Sequence, residues 1–343
     1  MNTTVGKRDI DLTLIVTQAM TIFVIAVLII IANVLNIIVF SKNDKILPIG
    51  GRCFAISLAS ADLVMGFLFF TSLVGCVTQE PLIDSVSPLC AVLGSLYHTA
   101  VTASTMSLML LAVDRFLAVQ WPLHYPAMMT MKRAVAMALV GWIFLASYSI
   151  FLIFANGNDF YAYHAPAYIC IPIYAGHKLV ILTAIMCKMI PFGVIIVIYV
   201  RILVIARHQL RRINTQVTHG RGHGRGTGTG AADASSLKAV KMFFAVTTAF
   251  SVSWTPYGAL ILYYLIGDTT SEHVAGWILL LASYFVASNS FWNFIIYSAM
   301  NSSFRRAAFL LVKKTLCCTH SKRSPVKKIS INTNSVVDNS ASS

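Results

Sequence analysis

Two ionisable side chains, Asp62 and Lys188, lie inside long apolar runs of the sequence. An ionisable group at the centre of a membrane helix costs about 2.5–3.5 kcal/mol, so each needs a reason. Asp62 has two compatible interpretations: a protonated member of a hydrogen-bond network, or a carboxylate that coordinates a hydrated sodium ion. No other cofactor is expected. The polar residues that could converge on Asp62 at similar depth are Asn33, Ser104, Asn289, Ser290 and Asn293.

Lys188 lies three residues before Pro191. If it faces the interior of a helix bundle, it can pair with an anionic ligand or with Tyr or His neighbours. Alternatively, it faces a neighbouring helix as a neutral amine or extends its ammonium group toward the membrane surface. The sequence leaves these alternatives open.

The triplet Asp114-Arg115-Phe116 lies at the end of the third apolar run. An adjacent acid and base at this depth can be a simple interfacial ion pair. They can also form a switch, in which Asp114 holds Arg115 in one state and releases it to a partner protein in another. The pair alone does not decide between the two interpretations.

Long apolar segments must position these residues. Of the 343 residues, 57% are hydrophobic and 11% are charged, whereas a soluble domain carries about 25% charged residues. Seven runs reach the roughly 17–25 residues that a membrane helix needs. Short alternating segments, typical of membrane β-barrels, are absent from the sequence. We therefore predict an all-α integral membrane protein with spans near Leu14–Phe40, Cys53–Thr78, Leu89–Val119, Ala134–Phe154, Leu179–Ala206, Val240–Ile266 and Val274–Met300.

Basic residues predict the orientation of this bundle. Most of the 26 Lys and Arg residues lie in or beside the connections that follow spans one, three, five and seven. Positive segments stay in the cytoplasm, so we expect the N-terminus outside and the C-terminus inside. This bias accounts for most of the net charge of +14 without a nucleic-acid partner.

The deduced topology separates the seven cysteines. Only Cys90, at the outer end of span three, and Cys170, in the longest outer loop, clearly face an oxidising compartment,. We predict a disulfide between them. Cys317 and Cys318 follow an amphipathic stretch at 301–318 that suits a helix lying on the inner leaflet, so palmitate could anchor them there.

The remaining segments are polar. We expect an extracellular N-terminus at 1–13 without a cleavable signal peptide, and Asn2 in its Asn-Thr-Thr triplet can accept a glycan,. The seven-span core occupies 14–300, and its Gly-rich loop at about 208–236 should be flexible. The Ser- and Asn-rich tail at 319–343 should be disordered.

The motifs, in order, resemble the rhodopsin-like (class A) G-protein-coupled receptor family over about 14–316. Each span carries one hallmark, and the end of span seven is similar to aminergic receptors. The order makes the resemblance specific, although each motif is weak alone. The residues that carry it are Asn33, Asp62, Cys90, Asp114-Arg115-Phe116, Trp142, Cys170, Pro191 with Tyr199, Trp254 with Pro256, Asn293 to Tyr297, and Phe304-Arg305.

The resemblance implies a plasma-membrane receptor with a short cytoplasmic amphipathic eighth helix. An agonist would favour a state in which span six, kinked at Pro256, swings outward. Arg115, Tyr199 and Tyr297 would then rearrange and open a cleft for a heterotrimeric G protein. Arrestin and receptor kinases are further implied partners.

Four positions depart from the family pattern. Phe116 replaces the usual Tyr and Ser253 a common Cys, and both changes are mild. Phe294 replaces an expected Pro, which removes a kink from span seven. Ser236 falls where an acidic residue often clamps Arg115, so we expect raised signalling without a ligand.

The ligand pocket departs as well. Tyr97 occupies the position where amine receptors have an Asp, and Ala287 stands where opsins carry a Lys. Neither a cationic amine nor retinal is therefore favoured. An aromatic-lined cleft suits a small organic or lipid-like ligand. Its predicted lining is Tyr97, His98, Thr102, Thr183, Lys188, Trp254, Tyr257, Tyr264 and Tyr284.

Other classes of protein fit the sequence less well. A transporter or channel should show repeated halves or a charge-lined path, and neither is evident. An enzyme would need a paired catalytic set within the spans, and the sequence has none. A seven-span scaffold or scavenger receptor that does not couple to G proteins stays open, because Phe294 and Ser236 alter the switch.

Overall fold

The computed structural model describes residues 12–78, 87–157, 160–164, 168–172, 190–202, 204–205, 229–266 and 276–321. For some of these, among them 229–239, 261–266 and 315–321, the description covers the backbone only. The helices are α1 Leu12–Lys42, α2 Ile49–Thr78, α3 Pro88–Gln120, α4 Tyr125–Met128, α5 Met131–Asn156, α6 Ile190–Ile202, α7 Thr229–Ile266, α8 Gly276–Met300 and α9 Ser302–Ser321. The predicted spans correspond to α1, α2, α3, α5, α6, α7 and α8.

The bundle has its polar side chains inside and many of its large apolar side chains outside. Asn33, Asp62 and Asn293 are buried, whereas Val140 and Phe144 on α5 are more than 60% exposed. Within the described residues, α1, α2, α3 and α5 are each long and apolar enough to cross a membrane. Exposed apolar faces around a polar centre are the arrangement that lipid requires. The predicted helical membrane bundle is confirmed.

Several helix ends differ from the predicted limits. Helix α7 begins at Thr229, so residues 229–236 are helical although we predicted a flexible loop there. The reason is an alanine-rich stretch after Gly230, because alanine has the highest helix propensity. Helix α2 begins at Ile49, before the predicted Cys53. Helix α9 ends at Ser321, so residues 319–321 of the predicted disordered tail are also helical.

Asn301 and Arg305 set the junction between α8 and α9. The Asn301 side-chain oxygen accepts hydrogen bonds from the backbone N–H groups of Ser303 and Phe304, each at 3.1 Å. This is an N-cap for α9. Arg305 Nη1 donates to the backbone oxygen of Ser298 at 2.9 Å and so caps the last turn of α8,. The two contacts fix the start of the amphipathic helix against the end of the last span.

A β-hairpin between α5 and α6 was not predicted from the sequence. Its strands, β1 Tyr161–His164 and β2 Ile169–Pro172, are antiparallel, with Tyr163 opposite Cys170. Cys170 forms the predicted disulfide with Cys90 at the start of α3. We call this side of the bundle the disulfide end, and the side that carries Arg115 the Arg115 end.

Three tyrosines of the hairpin and its turn fasten it to the bundle. Tyr161 is fully buried against Gly94 of α3, and its hydroxyl donates to the backbone oxygen of Ser149 at 3.4 Å. Tyr168 donates to the Gln18 side-chain oxygen of α1 at 3.2 Å. A Cβ at Gly75 of α2 would lie 2.7 Å from the Tyr163 hydroxyl, so the glycine allows this approach. The hairpin therefore lies across the disulfide end.

Candidate functional site

Asp62 lies at the centre of a buried hydrogen-bond network. Its Oδ1 accepts hydrogen bonds from the hydroxyls of Ser104 at 3.0 Å and Ser290 at 3.1 Å. Its Oδ2 accepts one from Asn293 Nδ2 at 2.8 Å. The carboxyl group is 1% exposed, so these three donors replace water,. The donors belong to α3 and α8. The Asp62 side chain of α2 therefore links three helices.

Asn33 and Asn289, which we predicted at the same site, have different positions. Asn33 Nδ2 donates to the backbone oxygens of Ile29 at 2.9 Å and Ser290 at 2.8 Å. It therefore supports Ser290 and joins α1 to α8 beside the Asp62 network. Asn289 lines a small cavity between Asp62 and Trp254. Its volume is about 10 Å³. A cavity of that size accommodates about one water or small ion.

Three of the predicted pocket residues lie together on the other side of that cavity. Tyr97 and Trp254 pack against the same cluster, formed by Met65 and its neighbours on α2 and α3. Trp254 contacts Tyr257 edge to face, with 6.1 Å between ring centroids. This aromatic group between α3 and α7 is the described part of the candidate ligand site.

The other predicted pocket residues have different surroundings. His98 is buried against α5, where Nδ1 lies 3.0 Å from the Ser149 hydroxyl. The Thr102 hydroxyl donates to the backbone oxygen of His98 at 2.7 Å, within its own helix. Tyr284 packs on Phe69 of α2, with 6.3 Å between ring centroids, on the side of the bundle that faces α1. The structure thus does not gather these three with Tyr97.

The Ser149 contacts indicate which nitrogen of His98 carries a proton. The Ser149 hydroxyl donates its single proton to the Leu145 backbone oxygen at 3.0 Å and accepts one from Thr99 at 2.9 Å. A hydroxyl has one donor, so His98 Nδ1 must be the donor in its contact with Ser149. His98 is therefore a structural link between α3 and α5.

Some predicted residues lie outside the described part of the chain. Thr183 and Lys188 precede α6, and Asn2 precedes α1. The side chains of Tyr264, Ser236, Cys317 and Cys318 are likewise not described, although their backbones belong to α7 and α9. Their predicted ligand, switch, glycan and palmitate roles stay predictions.

At the Arg115 end, Asp114 holds two partners at once. The Arg115 guanidinium forms a buried ion pair with Asp114 Oδ2 through Nε and Nη2. The Tyr125 hydroxyl donates to Asp114 Oδ1 at 2.6 Å. Burial and the neighbouring Asp114 carboxylate raise the pKa of Tyr125, so its hydroxyl keeps the proton that it donates,. Gly50 and Gly51 of α2 pack on this pair without a side chain between.

Arg115 also contacts α7. Its guanidinium carbon lies 5.7 Å from the centre of the Phe243 ring, a cation–π contact,. Phe243 lies seven residues after Ser236 on α7, about two turns of helix,. The aromatic ring of Phe243 therefore contacts Arg115 near the position where we predicted that an acidic clamp is missing.

The predicted switch tyrosines surround this contact. Tyr199 of α6 is 3% exposed and packs edge to face on Phe244 of α7, with 5.6 Å between ring centroids. Tyr297 packs between Phe40, at 5.3 Å, and Phe243, at 6.2 Å between ring centroids. Within the described residues, the buried Tyr297 hydroxyl has no hydrogen-bond partner. A buried hydroxyl without a partner costs about 1–3 kcal/mol, and so it favours any state that supplies one.

A sequence profile described as 7 transmembrane receptor (rhodopsin family) matches residues 32–297, well over half of the chain. The chain belongs to the rhodopsin family of seven-transmembrane receptors. Members of the rhodopsin family are membrane receptors and not enzymes. This protein is therefore a receptor that crosses the plasma membrane several times.

Individual relatives within the rhodopsin family are distant. The histamine H2 receptor of Cavia porcellus is 28% identical over 323 residues, which cover 92% of this chain and 84% of that receptor. The galanin receptor 2b of Danio rerio is 26% identical over 306 residues, covering 85% and 73%. The glucose-dependent insulinotropic receptor of Rattus norvegicus is 28% identical over 252 residues, covering 71% and 50%. Their names differ in ligand, so membership of the rhodopsin family does not identify one here.

Three residues that contact the predicted switch pair were missed in the sequence. Tyr125, Phe243 and Gly50 each contact Asp114 or Arg115 from another part of the chain. Tyr125 had a detectable signal, since a Tyr follows the triplet by a single short connection. Phe243 and Gly50 lie in apolar runs that look like the rest of the spans, so the sequence carried no sign of their contacts.

Proposed function

We propose that this receptor binds an extracellular ligand at the disulfide end and activates a heterotrimeric G protein at the Arg115 end. The observation that carries the proposal is the buried Arg115, held by Asp114 and lying on Phe243 of α7. Arg115 is 4% exposed, and its two partners lie on different helices, so movement of α7 removes one of them. Movement of α7 would break the Phe243 contact and expose the guanidinium to a partner.

The basic residues support the orientation. Exposed Lys and Arg side chains cluster at the Arg115 end, and positive segments remain in the cytoplasm. They are Lys42, Lys45, Lys132, Arg133, Arg305, Arg306, Lys313 and Lys314. We infer that the N-terminus is extracellular and the C-terminus cytoplasmic.

Leu123 supports a protein partner at the same end. It is 91% exposed in the connection between α3 and α4, two residues before Tyr125. Burying an exposed leucine side chain against a partner contributes about 1.5–3 kcal/mol. The G-protein α subunit would bury Leu123 and meet Arg115 together. Arrestin and receptor kinases would use the same open cleft.

The candidate ligand site favours a small organic or lipid-like molecule. The Tyr97 phenol lies where a carboxylate would bind an amine, and Trp254 and Tyr257 extend the aromatic surface. Such a lining gives apolar area and a few hydroxyl partners, without a charge to pair an ammonium ion. Although one relative is a histamine receptor, we do not carry its amine ligand over to this chain.

The Phe243 contact bears on activity without a ligand. A cation–π contact is worth about 0.5–2 kcal/mol, whereas breaking a buried ion pair costs about 3–5 kcal/mol. Since Ser236 supplies no carboxylate, the weaker contact, from Phe243, is the one that holds Arg115 among the described side chains of α7. We therefore expect a larger fraction of the open state at rest and raised basal signalling.

The test is nucleotide exchange by the G protein. It is measured without ligand in membranes that carry equal amounts of receptor. Wild type should exceed receptor-free membranes, and Arg115→Ala should return to their level. Arg306→Ala, which removes an exposed charge from α9, should match wild type. Wild-type exchange equal to that of receptor-free membranes would instead support a non-coupling scaffold or scavenger. That alternative is favoured by Phe294, whose ring packs on Phe304 at 5.8 Å in place of a kink.

We further propose that Asp62 holds a sodium ion. The residues fit such a guest, because Asp62, Ser104 and Ser290 place oxygen atoms beside the small cavity. Oxygen ligands suit hard cations. The ion would stabilise the resting arrangement of α2, α3 and α8.

A binding ion should raise thermal stability by mass action. We expect the purified receptor to melt at a higher temperature in sodium chloride than in choline chloride of equal ionic strength. Asp62→Ala should abolish the difference between the two salts. Equal melting temperatures for wild type in the two salts would contradict the sodium site.

A further inference from the structure

An apolar groove opens on the outer surface of the bundle at the Arg115 end. It is lined by Pro48 and Ile49 at the start of α2, Tyr125 and Met129 around α4, and Met131 at the start of α5. Its volume is about 350 Å³, within the range of small-molecule and lipid-chain pockets. Cys53 Sγ lies 3.3 Å from Met131 Sδ, so α2 and α5 meet at its edge.

The position of the groove points to the bilayer. Ile49 and Met131 are 41% and 45% exposed, at the first turns of two membrane helices. Farther along α5, Leu139 and Ile143 are 55% and 65% exposed, as expected for a surface that faces acyl chains,. The groove thus continues this lipid-facing surface to the level where headgroups begin.

The charges around the groove indicate which lipid would bind. Arg52 lies one turn after Ile49 on the same face of α2, and Lys132 and Arg133 directly follow Met131. Lys45 precedes the groove, and Asp44 is the nearby exposed acid among the described residues. A cationic rim over an apolar floor complements a negatively charged headgroup with a hydrocarbon chain.

We propose that the groove binds one anionic phospholipid, with an acyl chain on Tyr125 and Met129 and the phosphate near Arg52 and Lys132. The site rests on the proposed function only in its side of the membrane, the cytoplasmic leaflet. The proposal goes beyond that function because the acyl chain packs on the ring of Tyr125, whose hydroxyl donates to Asp114. A bound lipid therefore supports the ion pair that retains Arg115.

Lipid retention tests the site without any measurement of signalling. The full-length receptor is purified in detergent with equal amounts of phosphatidylserine and phosphatidylcholine, and bound lipid is counted by native mass spectrometry. We expect wild type to retain phosphatidylserine preferentially. Met131→Trp and Ile49→Trp, which fill the groove, should each lower retention at least about tenfold, since the loss of two buried methylene groups already has that effect.

Matched variants separate the groove from the general lipid surface. Leu139→Trp adds the same side chain to α5 on its lipid-facing side and should retain the lipid as wild type does. Arg52→Gln should remove the preference for phosphatidylserine. Excess glycerophosphoserine, the headgroup without acyl chains, should not compete.

Three outcomes would overturn the proposal. They are equal retention of the two lipids by wild type, equal retention by Met131→Trp and Leu139→Trp, or displacement by the free headgroup. The receptor's melting temperature confirms that each variant is folded. Because retention does not depend on nucleotide exchange, a receptor that retains lipid but does not exchange nucleotide would disprove only the coupling proposal.

Discussion

Gly50→Ala is expected to raise ligand-free nucleotide exchange about tenfold, because a charge-assisted hydrogen bond is worth about 1.5–3 kcal/mol and 1.4 kcal/mol is a factor of ten. A Cβ at residue 50 would overlap Asp114 Oδ1 and lie 2.6 Å from Met129 Cγ. The carboxylate must therefore leave the position in which it accepts the Tyr125 hydroxyl. Arg115 would lose the partner that holds it at rest.

Two further variants make this prediction specific. Gly193→Ala adds the same methyl group to α6, where no atom of the described residues lies within 4 Å of the new Cβ, and should leave exchange unchanged. Tyr125→Phe removes only the hydroxyl that binds Asp114 and should raise exchange in the same direction. The double variant Gly50→Ala/Tyr125→Phe should show less than the sum of both effects, because both act on one carboxylate.

The measurement is nucleotide exchange at equal surface abundance. Tyr125→Phe keeps the test decisive if Gly50→Ala folds poorly, since it adds no atoms to the core. Exchange equal to wild type in both variants would show that Asp114 does not restrain Arg115. The proposed resting state would then be wrong, whatever the stability of the variants.

A second methyl group should act on folding. Gly94→Ala is expected to lower the free energy of unfolding by about 2 kcal/mol or more, since overpacking typically costs about 1–3 kcal/mol and sometimes more. The new Cβ would lie 2.5 Å from Tyr161 Cδ1 and 2.9 Å from Tyr161 Cβ. Tyr161 is fully buried, and its strand β1 pairs with β2, the strand that carries the disulfide cysteine. The hairpin must therefore shift as a unit.

Gly141→Ala is the matched control for Gly94→Ala. Both glycines lie in membrane helices, so alanine brings each the same gain in helix propensity, about 1 kcal/mol. Within the part of the chain that the structure describes, the Cβ at residue 141 would meet only the flexible Met106 side chain, at 3.5 Å. Thermal melting should show a lower midpoint for Gly94→Ala and an equal or higher one for Gly141→Ala. A midpoint for Gly94→Ala at or above wild type would contradict the packing of the hairpin on α3.

Features that depend on composition along the chain were accessible from the sequence. Long apolar runs predicted the membrane helices, because lipid requires them whatever the details of packing. The compartment of each cysteine predicted the bond between Cys90 and Cys170. The cost of burying a charge predicted that polar residues would surround Asp62, and Ser104, Ser290 and Asn293 do so.

Features that depend on the rotation of each helix were not accessible. A span that is apolar on most sides carries little information about which residue faces inward. His98 therefore looked like a pocket residue although it contacts α5, and Tyr284 although it contacts α2. The contacts of Arg115 with Phe243 and of Asp114 with Tyr125 join distant segments through ordinary side chains, so only the folded chain brings them to light.

Phe294 keeps α8, the last membrane span, a continuous helix. A proline there would leave the Ser290 backbone oxygen without its helical partner. Here α8 is unbroken from Gly276 to Met300, and the same oxygen also accepts the Asn33 amide at 2.8 Å. Helix α8 therefore moves as one rigid unit, without a kink. Any displacement of Tyr297 is transmitted along its length, to α1 through Asn33 and to α9 through Arg305.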